Sequence, residues 1–144
     1  MGLFQRFFGS WHVDFGRLAK DELGNDYVVE ETRIVPKVSA EDRYGVVCWH
    51  DRPKKFQGTV VHYLPLKLTV LHPQVDPATV VRTPRGFRVS RAAEECVGGF
   101  VRILGFDSTD PTGEYQMDLL ANGNLIAAIS FTVIEGIASN EPWA

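Results

Sequence analysis

Four histidines, two cysteines and a scatter of carboxylates are the residues of this chain able to do chemistry. His50 precedes Asp51, a neighbour able to orient an imidazole, and His62 and His72 follow. A hydrolase or metal site would therefore be built on His50, Asp51, His62 and His72. The spacing argues against it, because the chain holds no His-x-His or His-x-x-x-His pair, and no cysteine stands at ligand spacing from a histidine. His12, His50 and His62 suit the polar faces of strands instead, so no metal and no cofactor is expected.

Nucleophilic catalysis fares no better. There is no Gly-x-Ser-x-Gly. Cys48 lies among Val46, Val47 and Trp49, and apolar surroundings raise a thiol's pKa and quiet it. Cys96 follows Glu94 and Glu95, whose charges disfavour its thiolate. Glu30 and Glu31 are adjacent, so on a strand they point to opposite faces and cannot share a substrate. Asp107, Asp110 and Glu114, with Ser108, Thr109 and Thr112 between them, offer oxygen ligands but lack the order of an EF-hand loop. A turn closed by Asx hydrogen bonds is expected there. Gly98-Gly99 lacks the lysine and helix of a phosphate loop. The chain is not expected to be an enzyme.

Charge is the more informative signal. Residues 33–91 hold eleven Lys/Arg against four Asp/Glu, whereas residues 92–144 hold Arg102 alone against eight acids. Such polarity suits an anionic partner. A polyanion or nucleic-acid binder would use Arg52, Lys54, Lys55, Arg82, Arg85 and Arg88, with Phe56 and Phe87 available to stack on bases. In a sandwich, however, distant strands interleave, so basic and acidic segments are expected mainly to pair with each other.

The aromatic residues Phe4, Phe7, Phe8 and Trp11 near the start suit core or strand-edge packing. Exposed, they would form a patch for a partner or a second copy.

The elements that position these residues are strands. Gly113 to Val133 reads as a hairpin: Tyr115, Met117 and Leu119 alternate with Gln116 and Asp118. After Asn122-Gly123, Leu125, Ala127, Ile129, Phe131 and Val133 alternate again. Trp11 to Phe15, Tyr27 to Val35, Tyr44 to His50, Gly58 to Leu71 and Phe100 to Phe106 complete the pattern, with Leu64, Leu66, Leu68 and Val70 on one face of the 58–71 strand. Pro65 marks that strand as an edge or a bulged one. Asp51 to Lys55 is a charged turn. Ser90 is placed to cap a short helix, Arg91 to Val97, stopped by Gly98-Gly99. Two distant cysteines in a sandwich invite an inter-sheet bridge. Trp49 beside Cys48 and the helical context of Cys96 predict reduced, structural thiols instead.

Several stretches carry a family resemblance: Gly2-Leu3-Phe4, Val28-Val29-Glu30-Glu31-Thr32 followed by Ile34-Val35-Pro36, Tyr44-Gly45-Val46, and above all Gly113 to Val133, with a glycine, an aromatic two residues on, and a closing strand ending Phe-x-Val. In these the chain resembles a bacterial family of small uncharacterised proteins, a domain of unknown function with an immunoglobulin-like sandwich. The resemblance implies the fold and assigns no functional residue.

The expected fold is all-β, an immunoglobulin-like two-layer antiparallel β-sandwich of about seven strands with one short helix. A chain of 144 residues suits one domain able to bury roughly 70% of its unfolded surface. Its expected bounds are 1–137, with 138–144 as a tail. Gln5, Arg6 and Gly9 interrupt any leader-like apolar run, and no run approaches the roughly 18 residues of a membrane span. A cytoplasmic location away from membranes is expected. The leading functional expectation is a non-enzymatic binding module acting through a protein partner or self-association.

Overall fold

A computed structural model describes residues 11–37, 42–65, 80–90 and 94–136. Every regular element among them is a strand: β1 (Trp11–Lys20), β2 (Asp26–Glu31), β3 (Ile34–Pro36), β4 (Arg43–His50), β5 (Lys55–Leu64), β6 (Val80–Thr83), β7 (Gly86–Ser90), β8 (Glu94–Val97), β9 (Gly99–Leu104), β10 (Gly113–Ala121) and β11 (Asn124–Ile134).

The strands form two layers. The first runs β2-β1-β4-β9. The second runs β8-β5-β10-β11-β3, with β7 also beside β5 and β6 beyond it. The layers join at a single pairing, Val97 with Gly99. There the chain crosses from one sheet to the other at Gly98, whose positive φ of 79° suits a residue without a Cβ. Among the described residues every pairing is antiparallel except β3 with β11.

Alternation along the strands builds the core. Phe15, Val46 and Cys48 of the first sheet face Phe56, Val60, Tyr115, Met117, Leu119, Ile129, Phe131 and Val133 of the second. Aromatic contacts tie the layers together: Phe15 lies 5.2 Å from Phe131 and Trp11 4.9 Å from Phe56, centroid to centroid. Burying side chains such as Met117 and Leu119 stabilises the fold by roughly 1.5–3 kcal/mol each.

The terminal hairpin forms as its sequence predicts. Asn122 and Gly123 both take positive φ, 51° and 81°, as a two-residue turn that matches strand twist requires. One detail departs from simple alternation. Leu119 pairs with Ala127 and Leu120 with Leu125, so Ile126 is an extra residue in a bulge. The bulge turns Ile126 into the core, at 4% exposure, and Leu125 out, at 47%.

Other expectations are corrected. The expected helix at 91–97 is corrected over its described part: residues 94–97 form β8, because backbone pairing with Lys55–Gly58 of β5 outweighs a weak local helix signal, and residues 91–93 lie outside the described residues. Among the described residues eleven strands replace about seven, as the extended 27–35 run divides into β2 on the first sheet and β3 on the second. The 51–55 turn ends one residue early, since Lys55 opens β5. Leu64 closes β5, and Leu66, Leu68 and Val70 lie outside the described residues. So does the 138–144 tail.

The 107–113 loop is tied down from three sides. Asp107 Oδ1 accepts the Thr109 N–H at 2.9 Å, the expected Asx turn. The Tyr115 hydroxyl donates to Pro111 O at 2.6 Å, in the manner of the tyrosine corner of immunoglobulin-like sandwiches. Burial, and then Asp110, push the Tyr115 phenol above its usual range. Lys37, buried at 4% exposure, donates from Nζ to Asp110 O at 2.7 Å and lies 3.4 Å from Glu135 Oε2.

Candidate interaction surface

The histidines do not assemble. Asp51 pairs with His12, at 2.6 Å from Nε2, and not with its neighbour His50. The His12 ring stacks on Trp49 with centroids 5.2 Å apart and planes 18° apart. His50 Nδ1 accepts the Arg52 backbone N–H at 3.0 Å, and its ring meets Trp11 edge-on at 4.7 Å. His62 pairs in register with Met117, which places it on the core side of β5 and not on the polar face expected for it. His72 lies outside the described residues. Among the described residues no three His, Cys, Asp or Glu side chains come together as a metal site. Glu30 is taken up by Arg17, whose Nε lies 3.1 Å from Glu30 Oε1.

The basic residues divide between two ends of the molecule. Arg52, Lys54 and Lys55 sit at the start of β5, and Arg85 sits in the β6–β7 turn beside its end. Nine strand steps separate Lys55 from Leu64, about 30 Å. Arg85 is also engaged. Its guanidinium meets Asp118 with two nitrogens, at 3.2 and 3.0 Å, bonds Gln116 at 2.7 Å and covers the Tyr63 ring at 4.0 Å. The hydrogen bonds it donates to Asp118 raise its pKa further. Arg82 and Arg88 fall on opposite faces of the β6–β7 hairpin, because Arg82 pairs with Phe87 while Arg88 pairs with Val81. Arg82 lies over the Phe87 ring at 5.9 Å.

Trp11 opens β1 and packs on the core through Phe56. Phe4, Phe7 and Phe8 lie outside the described residues.

The surface with the most to offer a partner belongs to residues that sequence reasoning passed over. On the outer face of the first sheet, cross-strand rows run His12–Trp49–Gly99, Asp14–Val47–Val101 and Gly16–Gly45–Ile103. Trp49 is 38% exposed, Val101 39% and Ile103 49%. Gly45 lets β4 and β9 approach closely, since a Cβ there would collide with the Arg102 carbonyl oxygen. His12, Asp14 and Asp51 border the apolar part. The sequence held one usable signal, since β9 is apolar at nearly every position, on both faces, whereas a half-solvated strand normally alternates.

These features define an all-β, two-layer sandwich with a candidate binding face on its first sheet. The model for the PM0630 beta sandwich domain matches residues 13–134, and the chain belongs to that family. Among solved structures, an immunoglobulin-like protein from Pseudomonas aeruginosa is similar at 18% identity over 85% of this chain and 92% of that one, with a TM-score of 0.46. The alkylpurine DNA glycosylase AlkC of Pseudomonas fluorescens, solved bound to DNA containing an abasic site analog, is similar at 11% identity over 84% of this chain and 30% of that one, with a TM-score of 0.37. No curated protein matches.

Proposed function

We propose that this domain is a non-enzymatic interaction module that binds a protein partner through the outer face of its first sheet. One observation carries the reading: Trp49, Val101 and Ile103, each more than a third exposed, share one face of the first sheet. Single exposed apolar residues are ordinary, but a contiguous set with a tryptophan has the composition of an interface centre. The polar groups nearest it support the same reading. His12, at its border, is held by Asp51 and so works as a structural contact; His50 lies on the opposite face beside Trp11. Among the described residues, the divided basic residues and the engaged Arg85 give a polyanion no single strip to follow.

The test is affinity purification of the tagged protein from the cells that make it, in nuclease-treated and untreated halves. A protein partner that survives nuclease and is lost from a Trp49→Ala/Ile103→Lys variant is the expected result. The variant should fold normally by circular dichroism, since surface changes usually alter stability by about 0.5 kcal/mol or less each. Partners lost on nuclease treatment, or retained by the variant, would overturn the reading.

A further inference from the structure

We propose that Cys48 and Cys96 form an oxidisable thiol pair that can link the two sheets through a disulfide. On a helical turn Cys96 would lie outside the core. As part of β8 it pairs with Phe56 and packs against the core cluster that contains Cys48. The two thiols belong to different layers, Cys48 to β4 of the first sheet and Cys96 to β8 of the second.

Phe100 places them close together. Cys48 is its cross-strand partner, and both side chains point inward. A Cβ on Gly58 would stand 3.0 Å from Cys96 Sγ and 3.6 Å from a carbon of the Phe100 ring, so the second thiol lies beside the same ring. The backbone supports the approach, because His50 N–H donates to Gly98 O at 2.7 Å where the chain crosses between sheets, two residues from each cysteine. Both thiols are free in this structure. Burial, and then the nearby Cys96, push the Cys48 thiol up to about 12. Burial also raises that of Cys96.

Access decides the order of events. Cys96 is half-buried and lines a cavity of about 70 Å³ with Gly58, Val60, Glu94 and Arg102, whereas Cys48 is 1% exposed. A cavity of that size admits a small peroxide. Hydrogen peroxide oxidises the Cys96 thiol to a sulfenic acid with release of one water. The Cys48 sulfur then attacks the Cys96 sulfur, expelling a second water as the S–S bond forms and the Cys48 proton leaves with it. The raised thiol pKa values make both steps slow, so the link is a structural lock set under sustained oxidation and not a fast sensor.

The experiment treats the folded protein with hydrogen peroxide, then blocks residual thiols under denaturing conditions and reads the intact mass. The expected product is a monomer that has lost two hydrogens and both blockable thiols, with the tryptic peptides 44–54 and 92–102 joined and a higher melting temperature than the reduced protein. Cys96→Ser should leave Cys48 reduced under the same treatment. Sulfinic acid on Cys96 with Cys48 still free, a Cys96-linked dimer, or two unreacted thiols would each overturn the proposal.

Discussion

The outer faces of the two sheets share one core and present opposite surfaces. On the second sheet, Tyr63, Gln116 and Asp118 gather under Arg85, and Thr132 donates to Glu114 at 2.6 Å. That part of the face satisfies itself, although Ile34 and Ile134 of β3 and β11 are exposed beyond it. On the first sheet, Val101 and Ile103 meet water beside Trp49, which carries the His12 ring yet stays more than a third exposed. The difference arises from which side chains stand at the outward positions. A carboxylate and an amide on β10 recruit an arginine from a neighbouring turn. The apolar residues of β4 and β9 give a polar loop nothing to bind. A self-satisfied face contributes to stability, whereas an apolar one is available for recognition.

The largest expected effect removes the floor common to both faces. Phe131 is 2% exposed, stacks on Tyr115 at 5.7 Å and touches Phe15 across the layers. Phe131→Ala should cost about 3–5 kcal/mol in urea unfolding. A loss under 1 kcal/mol would show that the layers do not lean on this contact. Next, Asp118→Ala should uncover the second face. Because Arg85 is half-exposed, the expected cost is only about 1 kcal/mol. Its signature is faster hydrogen exchange confined to the β6–β7 hairpin, and unchanged exchange there would mean that Arg85 does not hold the hairpin down.

The smallest effects sharpen the description of the first sheet. The hydrogen bond from Arg43 holds the Asp26 carboxyl below its usual range, with burial opposing it. Its folded pKa is depressed, so it contributes stability above the unfolded value of about 3.9 that is lost as pH falls through the folded one. Burial, and then Glu31, raise the Asp14 carboxyl, so its ionised form weakens the fold above the folded pKa, and acid relieves the penalty. At about pH 7, Asp26→Asn should lower the melting temperature and Asp14→Asn should raise it slightly. Both differences should shrink toward zero once the carboxyls are protonated. Melting curves across that range check the signs.

Much of the fold was legible because its signals are local. Trp11 to Phe15 and Tyr44 to His50 alternate with period two, and each is a strand. Asn122-Gly123 marks a hairpin turn because those residues tolerate positive φ. The candidate site was much less legible. Trp49 could be set on the face opposite Cys48 by alternation alone, but its neighbours Val101 and Ile103 reach it only through the β4–β9 register. Arg85 counted as one more basic residue until Asp118, far along the chain, came to lie beside it.

From sequence alone came the β class, the two-layer arrangement, the closing hairpin and the buried, apolar setting of Cys48, all of which rest on residue type and short-range period. Tertiary structure alone decided that Ile126 and not Leu125 enters the core, that residues 94–97 pair with β5 instead of coiling, and that Cys96 comes to the ring beside Cys48. The physical reason is common to all three. Each outcome depends on which backbone lies alongside, and strand pairing is a contact between distant segments that no local pattern encodes.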